Sequence, residues 1–77
     1  MRITPKYLEN GKEVDFTAQY QERDRRGRVS LRQKDNRYEV YVRWFNDKTD
    51  EVLHHSTKLA DCIEFTNARF GLNDTVE

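Results

Sequence analysis

The 77-residue chain holds one cysteine, one proline and three glycines. A lone Cys62 permits no internal disulfide, so a reducing, cytoplasmic setting is expected. Scarce Pro and Gly argue against a long linker or a low-complexity tract. No apolar run approaches the roughly 18 residues of a membrane-spanning helix. Met1-Arg2-Ile3-Thr4-Pro5-Lys6 lacks the apolar stretch of a secretory leader, so none is expected. Apolar residues are themselves few, at 35% of the chain. Leu, Ile, Val and Phe together number 17 of 77, just above the roughly 20% level below which chains tend to stay disordered. Disordered chains also usually carry a large net charge, whereas 14 basic residues here balance 14 acidic ones. The chain is read as one thin-cored, highly polar domain over residues 1–77. It is too short for an enzyme with a cleft between two domains.

The apolar pattern has mostly period two. Val14, Phe16, Ala18 and Tyr20 alternate with Asp15, Thr17, Gln19 and Gln21. Asn10-Gly11 suits a tight hairpin joining a short segment at Lys6–Glu9 to this strand. Arg23–Gly27 breaks the alternation, and Gly27 is expected to supply a positive φ in a loop. Arg28–Gln33 alternates again with Val29 and Leu31 inward. Asp35-Asn36 reads as a second tight turn. In Arg37–Phe45 the residues Tyr38, Val40, Val42 and Trp44 face inward. A polar turn over residues 46–50 leads to a short strand at Glu51–His55 whose buried side the pattern leaves open. The period then lengthens to that of a helix. Ser56 or Thr57 is a candidate N-cap, Leu59, Ile63, Thr66 and Phe70 form one stripe flanked by Cys62 and Phe65, and Gly71 is a natural stop. Leu72–Glu77 is expected to fray. The fold class is α+β: a small antiparallel meander of four or five strands, covered on one face by a single C-terminal helix. The other face is left open, and function is expected there.

Charge is segregated along the chain. Residues 1–21 are neutral, residues 22–43 carry +4 and residues 44–77 carry −4. Seven of the eight central cations are arginine, which binds carboxylate and phosphate bidentately. A two-residue turn at Asp35-Asn36 pairs Leu31 with Val40 and Val29 with Val42 inside. Outside, it pairs Arg32 with Glu39, Ser30 with Tyr41 and Arg28 with Arg43. Two arginines face to face repel, and an anion between them would relieve this. The candidate binding residues are therefore Arg28, Arg32, Arg37 and Arg43 on the sheet, Tyr41 as a stacking surface, and Arg23, Arg25 and Arg26 in the loop. Phe45 falls on the outer side, either as a strand end tucked under a loop, the favoured reading, or as an aromatic anchor of an interface.

Three antiparallel strands, a C-terminal helix and a basic sheet over about residues 28–71 resemble, in layout, the DNA-binding domain of plant ethylene-response-type factors and the arm-binding domain of phage and transposon integrases. That resemblance implies a sheet laid into a major groove. The characteristic Gly and Trp positions of the first family are not found here, and the likeness is one of element order and charge polarity.

Catalytic and metal chemistry find little support. His54 and His55 are adjacent on a strand, so they point to opposite faces and do not converge on one ion. Cys62 lies on the apolar helical stripe, where a thiol is usually core. Asp47, Asp50 and Glu51 lack calcium-loop spacing, and no Gly-rich phosphate loop exists. No enzyme activity, cofactor or metal is expected. The leading expectation is a small interaction module, an adaptor or inhibitor, docking a protein partner through its open Arg-rich face. Its size and polarity are similar to those of phage and mobile-element accessory proteins. The alternative is a nucleic-acid-binding module using the same face. The thin core also makes a homodimer an option.

Overall fold

Thr4-Pro5 decides the start of the fold. In the computed structural model, which describes residues 1–77, Thr4 caps a one-turn helix by accepting from the Tyr7 N–H, and Pro5 occupies its first position. This helix, α1 (Pro5–Glu9), follows a two-residue strand, β1 (Arg2–Ile3). Asn10-Gly11 therefore ends a helix rather than turning a hairpin. Gly11 has φ 76°, and its N–H bonds to the Leu8 carbonyl. Five residues are too few to show a helical period, so the hairpin expectation at Asn10-Gly11 rests on the turn dipeptide alone, whereas the capping at Thr4-Pro5 that decides the segment is strictly local.

Four strands then form an antiparallel meander: β2 (Val14–Glu22), β3 (Arg25–Lys34), β4 (Arg37–Trp44) and β5 (Asp50–Ser56), in that spatial order. Asp35 and Asn36 have φ of 56° and 62°, as a type I′ turn requires, and short polar side chains tolerate this conformation. The β3–β4 register is the one expected, with Leu31 opposite Val40, Val29 opposite Val42 and Arg28 opposite Arg43. β2 carries an irregularity between Asp15 and Ala18, where Thr17 has φ 58° and donates its N–H to Asp15 Oδ1 at 2.8 Å. The shift inserts two residues, an even number, so the inward phase of Val14, Phe16 and Ala18 survives.

Gly27 does not serve a loop. It lies inside β3, between Tyr20 on one neighbour and Trp44 on the other. A Cβ there would lie 2.5 Å from Val42 Cγ2 and 2.6 Å from the Arg43 carbonyl oxygen. The missing side chain lets the Tyr20 and Trp44 rings approach to 6.0 Å across an intervening strand. The positive φ of the neighbouring turn belongs to Arg23, at 56°.

Helix α2 (Leu59–Phe70) packs on the inner sheet face through Leu59, Cys62, Ile63 and Thr66. The core joins these to Val14, Phe16, Val29, Leu31 and Val40, and to Ile3 and Leu8 from the amino-terminal elements. Lys58 is the cap residue of α2 without a side-chain bond, while Ser56 Oγ accepts from the Lys58 N–H at 3.0 Å. Gly71 ends the helix in the left-handed region. Residues 72–77, expected to fray, are instead tied down. Asn67 holds the Asp74 backbone by two bonds of 2.9 and 3.0 Å, and β6 (Thr75–Val76) pairs in parallel with β1. No helix is long and apolar enough to cross a membrane.

Candidate functional site

The outer face is assembled by three registers. β3 and β4 place Arg28 opposite Arg43, Ser30 opposite Tyr41 and Arg32 opposite Glu39. β2 adds Asp15 opposite Ser30, and β5 adds Asp50 opposite Arg43 and Val52 opposite Tyr41. The expected unpaired arginines are thereby each given a carboxylate. Arg28 bonds Asp15 at 2.9 Å, and Arg43 bonds Asp50 at 2.8 Å and Glu13 at 3.4 Å. Arg32 bridges Glu39 and Asp50, both at 3.0 Å. Arg37 closes on the second oxygen of Glu39 at 2.9 Å. Asp15, Glu13 and Asp50, rather than an external anion, relieve the Arg28–Arg43 opposition. In the middle of the face four arginines meet four carboxylates, while Arg26 and Lys34, at the two ends of β3, stay exposed without an acidic partner.

This lattice changes what Tyr41 can do. Its side chain is fully buried, with Arg32 over the ring at 4.2 Å and Arg43 at 5.4 Å. The ring is a floor under guanidinium groups rather than an accessible stacking platform, a correction to the sequence expectation. Burial, reinforced by the Glu13 carboxylate, pushes the phenol well above its ordinary range, so it stays protonated. Its hydroxyl has no well-oriented hydrogen-bond partner.

Glu39 is the deepest charge, at 3% exposure. Desolvation would raise its pKa, but Arg37 and Arg32 outweigh that and hold the carboxyl below 4.5. Asp50 is lowered mainly by Arg43 and also by Arg32, against desolvation. At Asp15 desolvation is likewise overcome, by the Thr17 N–H and Arg28.

Of the arginines expected in a loop, only Arg23 lies in the turn, and Arg25 and Arg26 open β3. Arg25 lies over the Trp44 ring at 4.1 Å and pairs with Glu22 at 3.2 Å and Glu51 at 3.6 Å. It therefore belongs with the inner-face aromatics. Arg23 and Arg26 are exposed and have no acidic partner. Phe45 is not tucked under a loop; it is 49% exposed. It borders an open hollow of about 480 Å³ lined also by Glu13, Asp15, Arg28, Ser30, Arg43, Trp44 and Lys48. Sequence reasoning missed Glu13, Asp15 and Asp50 as parts of the face. Asp15 is outward in the alternation, which was a usable signal. The Glu13–Arg43 pairing spans 30 residues and leaves no local trace.

His54 stacks on Phe65 at 4.4 Å on the helix side, while His55 lies in register with Glu39. No three His, Cys, Asp or Glu residues are grouped as metal ligands. Cys62 is buried, and desolvation pushes its thiol up to about 11.

No protein-family model, curated protein or solved structure matches the chain.

Proposed function

We propose that the chain is a small non-enzymatic interaction module that docks another protein through the outer face of its sheet. One observation carries this reading: Arg28, Arg32, Arg37 and Arg43, the arginines of the middle of the face, are each already matched by a carboxylate of the same face. A polyanion gains affinity by releasing counterions from phosphates that meet free cations. A balanced lattice offers few of these, and its carboxylates repel a phosphate chain. A protein surface with alternating charges suits the same lattice, since each exposed edge of a guanidinium or carboxylate can find its complement. The buried Glu39 and Tyr41 hold the arginines in place, so little side-chain entropy remains to be lost on docking.

Arg28→Ala with Arg43→Ala is the test, read by binding to a protein partner captured with the tagged chain from nuclease-treated lysate. Binding should weaken while the far-UV spectrum is retained. An Asp61→Ala/Glu64→Ala variant on the helix should bind normally. Loss on the helix variant and not on the sheet variant would place the docking surface on the opposite side.

A further inference from the structure

At the end of the outer face that carries the β4–β5 turn, two cations lack a carboxylate. Arg26 and Lys48 are exposed and unpaired, and Phe45 stands between them. We infer that Phe45, flanked by Arg26 and Lys48, anchors an acidic segment of the partner protein that carries an aliphatic or aromatic side chain. The inference rests on the docking function proposed above and names the part of the face that does the anchoring and the chemistry it selects.

Three observations support it. The first is rigidity. The Phe45 N–H bonds to the Arg26 carbonyl at 3.0 Å, the Trp44 N–H to the Thr49 carbonyl at 2.9 Å, and the Lys48 N–H to the Trp44 carbonyl at 3.0 Å. Asp47 Oδ1 accepts from both the N–H and the hydroxyl of Thr49, at 3.1 and 2.8 Å. Trp44, immediately before, is buried. The half-exposed ring is thus displayed on a braced turn, which lowers the ordering cost of binding. The second is shape. Hollows of about 480 and 280 Å³ lie on either side of the ring, one toward Arg28 and Lys48, the other toward Arg25 and Arg26. An extended segment crossing Phe45 can set one side chain in each. The third is charge. Arg26 and Lys48 flank the ring with no acidic partner, so acidic side chains of a bound segment find free donors beside it.

A single-stranded nucleic acid is the competing ligand for an aromatic beside cations. Binding of that kind uses successive aromatic platforms and an unbroken basic groove. Here one ring is exposed on this part of the face, Tyr41 is buried, and Glu13, Asp15 and Asp24 line the same hollows.

The test is a random dodecapeptide display library selected on the intact chain, with labelled oligo-dT as a second probe. Enriched peptides should be rich in Asp and Glu around an apolar residue. Phe45→Ser should weaken the best of them by about 10-fold or more, as for a central interface aromatic. Arg26→Gln with Lys48→Gln should weaken it by roughly 5-fold at low salt and much less at high salt. Phe45→Leu, which keeps an apolar knob, should retain most of the binding. Peptides that are neutral or basic, or that bind Phe45→Ser as well as wild type yet fail on Arg28→Ala/Arg43→Ala, would overturn the Phe45 anchor and leave the docking function standing. No enrichment, together with tight oligo-dT binding, would overturn both.

Discussion

Glu39 offers the sharpest measurement of how much the outer lattice contributes. Glu39→Gln keeps the shape and removes the charge. In the native chain this carboxylate accepts three guanidinium hydrogen bonds, at 3.0 Å from Arg32 and at 2.9 and 3.2 Å from Arg37. Hydrogen bonds to charged groups are each worth roughly 1.5–3 kcal/mol, set against the desolvation of a nearly buried carboxylate. The glutamine oxygen can keep one bond, but its NH₂ then faces a guanidinium. A net loss of about 2–3 kcal/mol at pH 7 follows, nearer the buried-pair than the surface-pair range. For a domain of this length that is roughly 10–20 °C in Tm. The pH dependence supplies the control. Because the folded pKa of Glu39 is depressed below 4.5, its contribution is fully present above that value and is lost as pH falls through the lower, folded pKa. The gap between wild type and Glu39→Gln should be constant from pH 8 to about 6 and narrow below about 4.5. Thermal melts by circular dichroism across this range suffice. A gap under about 0.5 kcal/mol at pH 7, or one that fails to narrow in acid, would show that the lattice is solvated decoration and does not preorganise the face.

Gly27→Ala should cost about 2–3 kcal/mol, because the added methyl meets the Arg43 backbone as well as a side chain and cannot be relieved by rotamer change; near-wild-type stability in a urea melt would contradict this. Cys62→Ala should cost roughly 1–3 kcal/mol and Cys62→Ser as much or more, through a cavity and a buried hydroxyl respectively. With its thiol pushed up to about 11, Cys62 should also resist a thiol reagent at pH 8 until the protein is denatured, and rapid native-state labelling would be inconsistent with its burial. Random-sequence duplex DNA should show no binding at physiological salt in an anisotropy titration. Four free Arg–phosphate contacts would instead give log K a slope of about −3.6 against log salt, and a sub-micromolar affinity with such a slope would restore the nucleic-acid reading.

Local chemistry settled much of this protein without reference to the fold. Alternation along residues 14–21 and 37–44 names the inward residues because the side-chain period of a strand is two, whatever its partners. Asp35-Asn36 dictates a two-residue turn, and that turn dictates every β3–β4 pair, Arg28 against Arg43 included. Gly71 ends α2 because glycine enters the left-handed region at little cost. Three features required tertiary structure. Gly27 resembles a loop residue until two aromatic rings are placed on the strands beside it. Glu39 was legible as the partner of Arg32, but the carboxylates that meet Arg28 and Arg43 come from β5 and from around the start of β2, and whether those charges are paired depends on where another segment passes. Tyr41 reads as an exposed platform, since alternation reports which face a side chain takes and not what lies over that face; only the assembled lattice shows that its ring is covered and that the exposed aromatic of the outer surface is Phe45.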